Sequence, residues 1–570
     1  MKEREARWYG GSTPGSRPAA APVGARLLWS DPAVWVCGDW EPEHIQTVEF
    51  GDAKIAVLGP CSVSEHDLAR ALSCPDLATV AGEWAGSHTV VRAQGDGRVE
   101  VLADAAGACP LYTVNVPGGV VWGSSSLALS PLAGGGVDTE WLAAFLRDKH
   151  APTAGRCAWA EVKPVPAGHL LTLHTAGRAS LSSWWKPVKR TLGDASAALR
   201  HALGEGVRVR VEGGSVTTDL AGMDSTTLAL LAAQCGPITG VTLHPERATH
   251  GGDLDYARAL TVPGLHRTYF PLSARHLPFT PTEVPLPATD EPAPSTPVWS
   301  MFSHQLRVMA AAGSVSHLTG DGGDSLFLLA PTHLASLARH GRWLRMLGDA
   351  MDWARLRRQS PLPLISAAVR GNTAHIGRAV LLSPPWLKVP AVPALSDHGP
   401  ASADADAVFL SSFRIVARSA HAEIQLADSL SIALHNPYFD GAVLDAALSA
   451  PHEQRFSARR YKPMLADTFA DLLPEAHRKR AAKGLFVGDF HEGLRVNLGR
   501  VLGLADGRLA ALGIVNPVPL QAAIHAAALG ARTIWPPLLS ALAAEAWLEA
   551  VETTSATKWE RPMSASAGVR

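Results

Sequence analysis

The chain has 570 residues, with 51 Lys+Arg against 52 Asp+Glu for a formal net charge of −1, and 47% hydrophobic against 18% charged residues. That balance excludes a disordered chain, and the length exceeds one ordinary core and predicts two large domains. Near-neutrality removes the electrostatic case for nucleic acid, which needs a clustered basic surface. Six Cys at irregular spacing form no CxxC pair, so neither a disulfide framework nor a zinc cage is expected, and a reducing compartment fits.

Residues 1–25 are charged at first and then rich in Gly, Pro and Ala, without the apolar core of a signal peptide; they are expected to be flexible. No apolar run approaches the roughly 20 residues that span a bilayer. Leu362–Val369 is short, contains Pro363 and is flanked by Arg357, Arg358 and Arg370. The expectation is a cytoplasmic protein without a membrane partner.

Over 26–190 short apolar runs recur between turn signals: Ile55–Leu58, Thr89–Arg92, Val99–Leu102, Leu111–Val116, Val120–Trp122 and Leu170–Leu173. Gly95-Asp96-Gly97 and Pro117-Gly118-Gly119 read as hairpin turns, which predicts stacked antiparallel sheet. Asp67–Leu72 and Thr139–Leu146 are the best helical patterns there. From Ala195 the character changes to Ala-rich amphipathic segments (Ala195–Leu203, Thr226–Gln234, Met301–Ala312) alternating with short strands (Ser215–Asp219, Gly240–Leu243, Val315–Thr319). This alternation predicts a parallel sheet covered by helices over 195–552. Leu382–Ala407 reads as a loop, and 553–570 as a disordered tail.

Two strand-end segments carry the chemistry. The first runs from Val216 through Leu220-Ala221-Gly222-Met223-Asp224-Ser225-Thr226 into a helix. A strand ending in small residues before a helix presents backbone N–H groups to an anion. Asp224 is either a metal ligand at the phosphate end or a helix cap, and Ser225 and Thr226 offer hydroxyls. The second segment, Gly320-Asp321-Gly322-Gly323-Asp324-Ser325-Leu326-Phe327, follows another apolar strand. Ligands bind at the carboxyl edge of an open parallel sheet, so Asp224 and Asp324 together could hold one Mg²⁺ on nucleotide phosphates. A Gly-rich turn with solvated Asp residues is the competing reading.

These segments resemble the asparagine-synthetase family: its S-G-G-x-D-S pyrophosphate loop and its G-[ED]-G-x-D-E-L-F segment. Asp428-Ser429-Leu430 through Asn436-Pro437-Tyr438-Phe439-Asp440 is similar to the family's S-L-E-x-R-x-P-F-L-D. Leu473-Pro474-Glu475 with Arg480-Ala481-Ala482-Lys483-Gly484-Leu485-Phe486 is similar to its L-P-x…R-x-K-x-x-F. In the first half, Asp104 to Tyr112 resembles the glutaminase segment D-x-x-G-x-x-P-L-Y, Val165–His169 the P-P-G-H turn, and Trp184-Trp185 the closing Y-W. The resemblance implies an α/β and α+β chain. Its first domain would be a glutaminase-like (Ntn-type) antiparallel β-sandwich flanked by helices. Its second would be a parallel-sheet adenine-nucleotide α-hydrolase (PP-loop ATPase) domain with many helices.

Departures from the pattern narrow the reading. A working glutaminase of this family uses a Cys exposed once Met is removed, whereas Lys2 follows Met1 and the first Cys is Cys37. Ammonia from glutamine is therefore not expected. Leu220-Ala221-Gly222 stands where the family has Ser-Gly-Gly. Asp321-Gly322-Gly323-Asp324, Thr218-Asp219-Leu220 and Arg480-Ala481-Ala482-Lys483-Gly484 resemble the lasso peptide macrolactam synthetases. The resemblance implies ATP and Mg²⁺ as cofactors. It also implies a precursor peptide as substrate, with a leader-recognition protein and a leader peptidase as partners. The implied reaction is adenylation of a peptide Asp or Glu side chain and attack by the peptide's N-terminal amine, releasing AMP and pyrophosphate. Leu220 to Gly222, Asp224 to Thr226 and Gly320 would bind the nucleotide. Lys483 would stabilise charge, Arg480 would assist or lie on the surface, and Asp321 would orient or deprotonate the amine, or only shape its loop. Glu423 and Asp428 read as helix-surface carboxylates rather than cavity lining. Rival readings are a β-lactam synthetase-like or glutamine-independent asparagine synthetase-like small-molecule amide former, and a non-catalytic peptide-binding homologue.

Overall fold

The computed structural model describes residues 6–14, 21–150, 155–328, 331–372, 376, 383–388, 404–480 and 487–560. Its first half holds two six-stranded antiparallel sheets. In spatial order the first comprises Lys163–Val165, Leu111–Val116, Gly119–Gly123, Trp8–Ser12, Ala33–Cys37 and Arg26–Ser30. The second comprises Ala179–Ser183, His169–Leu173, Val99–Leu102, Thr89–Ala93, Ala53–Leu58 and Ile45–Phe50. Alternate side chains such as Val34, Val36, Ala56, Leu58, Val91 and Trp122 meet between the sheets as one buried cluster. Helices Glu65–Ser73 and Leu77–Ala81 cover the outer face of the second sheet. The 95–97 hairpin closes as its sequence predicts, with Gly97 at φ 78° donating to the Gln94 carbonyl at 2.9 Å.

The second half begins with a 20-residue helix, Leu192–Val211, whose N-cap Thr191 accepts from the Asp194 N–H. A five-stranded sheet follows, in the order Leu265–Leu272, Ile238–Pro245, Val216–Asp219, Ser316–Leu318, Ala433–His435, with all four pairings parallel. Its central strands are buried on both faces beneath Leu192–Val211, Met223–Cys235 and the 24-residue helix Ala405–Asp428. That is why they read as short apolar runs without alternation. The fold is an Ntn glutaminase-like layer pair joined to a PP-loop sheet domain.

Three expectations are corrected. Flexibility over 1–25 does not hold for Trp8–Ser12, a wholly buried strand pairing with both Ala33–Cys37 and Gly119–Gly123. Two glycines conceal it: a Cβ at Gly10 or Gly11 would overlap the backbone of the flanking strands, so smallness here is a packing demand. The disordered tail does not hold for 554–560, since Trp559 bridges to Pro22 and lies 5.9 Å from the Trp8 ring and 6.0 Å from Trp35. The loop over 382–407 ends in helix by Ala405, capped by Asp404, and Trp386 at 5% exposure is packed beside the Leu387–Val515 bridge. Positions 382 and 389–403 of that stretch, like 561–570, lie outside the described residues.

Candidate functional site

The Val216–Asp219 and Ser316–Leu318 strands run parallel in register, Val216 beside Ser316 and Thr218 beside Leu318, so their carboxyl ends emerge side by side. Each turns at once into a helix, Met223–Cys235 and Gly323–Phe327. The glycines of the second loop permit the approach. A Cβ on Gly320 would sit 3.0 Å from the Ser225 nitrogen, and one on Gly323 would overlap the Asp224 carboxyl. Gly322 adopts φ +90°, and its Cβ would come within 3.0 Å of Tyr438.

Asp224 and Asp324 are drawn onto one cation, the ammonium of Lys462. Its Nζ contacts Asp224 Oδ2 and lies 2.5 Å from Asp324 Oδ1. A common neighbour no more than 2.5 Å from either puts the two carboxyl oxygens within 5 Å of each other, close enough to share a metal ion. Burial alone would lower the Lys462 ammonium, but the two carboxylates hold it above the ordinary lysine value. Lys462 is fully buried in the left-handed region, φ 43°, immediately before Pro463. A non-glycine residue kept there is backbone strain of the kind that collects at functional sites. Tyr461 donates to Asp324 at 3.4 Å, and Tyr438 donates to the Asp224 carbonyl at 3.0 Å.

The loop after Val216–Asp219 folds around the Ser225 hydroxyl. The N–H groups of Ala221 and Gly222 both point to Ser225 Oγ at 3.2 Å, so two backbone donors converge beside Asp224. Thr226 is 1% exposed, turned into the helix packing rather than toward the loop. Leu220 is wholly buried, its carbonyl accepting from Thr242 Oγ1 at 2.5 Å and its N–H donating to Val241 at 2.8 Å. It packs over Gly240, where a Cβ would lie 2.8 Å from it. The leucine standing in for serine therefore faces the sheet, away from the N–H groups that Ser225 Oγ receives. Arg480 braces the loop from outside: it donates to the Ala221 carbonyl at 2.9 Å, pairs with Asp253, and stacks 4.5 Å over the Tyr256 ring.

Asp321 is exposed at the rim, its N–H donating to Thr319 Oγ1 at 3.1 Å. Burial first, and the negative charge of Asp321 second, push the Glu423 carboxyl up to about 8. Across the domain boundary, burial holds the Lys149 ammonium below its ordinary value despite the attraction of Glu423. Asp428 belongs elsewhere: both its oxygens accept from Arg7, at 2.6 and 3.2 Å, in an ion pair that ties the first strand to the Ala405–Asp428 helix. Lys483 lies outside the described residues.

The placement of two residues beside this constellation escapes the sequence. Lys462 sits in no recognisable motif; a lone Lys before Pro at a helix start is its only signal. Glu423 reads as a surface carboxylate because helix periodicity does not show what packs over it.

The donor set suits magnesium, a hard cation that keeps several waters and uses one or two carboxylates with substrate phosphates. Among the described residues no group of three or more His, Cys, Asp or Glu gathers into a protein-only metal cage. Burial raises Cys61 and Cys157 to about 12 and Cys109 well above the usual thiol value, and none of the described cysteines forms a disulfide. No helix among the described residues is long and apolar enough to cross a membrane.

Comparison with known proteins agrees with this site. No curated protein matches the chain. The family model described as asparagine synthase matches residues 198–549, more than half of the chain, from the helix before the phosphate loop to the last long helix. With its parallel sheet, strand-end carboxylates and Gly-rich loop in that matched region, the chain belongs to the asparagine synthase family, whose chemistry is ATP-dependent amide formation.

Proposed function

We propose that the protein closes a macrolactam in a linear peptide, joining an Asp or Glu side chain to the same peptide's N-terminal amine at the expense of ATP, as in lasso peptides. The observation that carries the reading is the strand-end constellation. Asp224 and Asp324 converge on one cation beside a loop whose two N–H groups converge on Ser225, and the charge of Asp321 on the same rim raises the Glu423 carboxyl. The peptide specificity rests on the Asp321-Gly322-Gly323-Asp324 and Arg480–Gly484 resemblances.

A peptide carboxylate oxygen attacks the α-phosphorus of ATP, and the bond to pyrophosphate breaks. The amine nitrogen then attacks the acyl carbon, the acyl–oxygen bond to AMP breaks, and the nitrogen's proton passes to ionised Glu423. Asp224 and Asp324 would hold Mg²⁺, which neutralises charge on the departing pyrophosphate. The Ala221 and Gly222 N–H groups would exchange Ser225 Oγ for phosphate oxygens as acceptors, and Lys462, displaced from the two carboxylates by the metal, would turn its positive charge to the phosphates. Lys483, by resemblance, stabilises charge on the phosphate and the tetrahedral intermediate. Holding both ends of one chain together makes ring closure nearly unimolecular, worth up to roughly 7–11 kcal/mol in well-oriented systems. A leader-recognition protein and a leader peptidase that frees the amine complete the proposal.

The test is incubation of the purified protein with ATP, Mg²⁺ and candidate precursor peptides. AMP and pyrophosphate should appear in step with loss of one water from the peptide. Release of ADP and phosphate, or AMP formation with aspartate plus ammonia in place of peptide, would replace the reading with a different ligase.

A further inference from the structure

Residues 331–372 form a helical insert directly after the Gly323–Phe327 helix, with helices His333–Arg339, Trp343–Leu356 and Leu362–Val369 packed around their own small core. The middle helix buries Met346, Ala350 and Trp353 on one face. Its opposite face, where a surface helix ordinarily carries charge, is apolar: Leu344 is 89% exposed, with Trp343, Leu347 and Met351 at 40–48%. The spacing 344, 347, 351 is one stripe along two turns, so the exposed apolar groups are contiguous rather than scattered.

The charge around this stripe has one sign. The insert contains seven Arg and two Asp, with no Lys or Glu, for a net charge of +5 within a chain of net −1. Both aspartates are already engaged, Asp349 with His333 at 3.2 Å and Asp352 with Arg459 at 2.7 Å. A second copy would bring two +5 faces together and is opposed by repulsion. Arg, Trp and Met with no Lys is the composition of protein–protein interfaces. The insert is also fastened to the segment that leads to the site. Arg342 pairs with Glu453 at 3.1 Å, and Arg459, bound to Asp352, lies three residues before Lys462.

We propose that the Trp343–Leu356 face docks a separate acidic protein partner, which presents an amphipathic helix with an apolar stripe and carboxylates along its margins. The apolar stripes meet and the carboxylates pair with the arginine rim, the helix-in-groove mode with electrostatic register. This stands independently of the reaction proposed above.

The experiment uses the full-length protein and a fluorescent peptide of about 18 residues, roughly five helical turns, built from Leu and Glu in amphipathic register. A matched Leu/Lys peptide and phosphatidylglycerol vesicles are the comparison arms. Anisotropy titration should show the acidic peptide binding, more weakly as salt rises, and at least about tenfold more weakly to Leu344→Asp/Met351→Asp. Arg355→Glu/Arg358→Glu, which leaves the apolar face alone, should shift preference toward the Leu/Lys peptide. No binding of the acidic peptide, equal binding to the stripe variant, or tighter binding of the basic peptide to wild type would overturn the proposal. So would vesicle binding or dimerisation that the stripe variant abolishes.

Discussion

Lys462→Met removes the ammonium from between Asp224 and Asp324 while keeping most of the stem that fills its buried channel. The lysine side chain is 0% exposed, Asp224 11% and Asp324 47%. Breaking a buried pair by deleting one partner costs about 3–5 kcal/mol, because the remaining charge loses its compensation out of water. Asp324 can rehydrate, so its share counts for at most about 1 kcal/mol, and Asp224 bears the rest; a net loss of about 2–4 kcal/mol is expected. Urea unfolding without divalent cations, followed on the transition of the second domain, measures it as a lower midpoint at unchanged slope. The same geometry predicts a gain elsewhere. Lys462 competes with any metal for the two carboxylates, so the variant should bind Mg²⁺ without nucleotide at least about tenfold more tightly, a difference of about 1.4 kcal/mol. Added Mg²⁺ should then recover part of the lost stability in the variant and little in wild type. Stability within about 0.5 kcal/mol of wild type together with unchanged Mg²⁺ affinity would refute the argument that the ammonium is what holds these carboxylates together.

Three further outcomes follow from the same site. Glu423, with its carboxyl raised to about 8, can accept a proton only when ionised, so the amide-forming step should accelerate as pH rises through about 8; Glu423→Gln should remove that limb and about 10²–10⁴-fold of the rate. Because its folded value is raised, Glu423 binds its proton more tightly in the native state, and that contribution to stability is complete below the unfolded value and fades as pH climbs to 8; the Gln variant should show a flatter stability–pH curve by denaturant titration. Leu220→Ser restores the family's residue but empties a buried site over Gly240, so it should cost about 3–5 kcal/mol in urea unfolding and leave turnover no faster; a stable, more active variant would mean that the side chain faces the phosphates.

The sequence by itself determined the two sheet types and the pairing of Asp224 and Asp324 at neighbouring strand ends. Alternation between turn signals, strand–helix alternation and glycine punctuation are local patterns, and local patterns survive without coordinates. The structure decided what distance along the chain conceals. Lys462 joins Asp224 across 238 residues, Glu423 is buried where it feels the charge of Asp321, and Trp559 returns from the far end of the chain to pack against Trp8 and Trp35. A lysine before a proline, a glutamate on a long helix and a tryptophan in a polar tail each look like surface residues in one dimension. Burial and charge are properties of a neighbourhood, and that neighbourhood exists only once remote segments have packed around it.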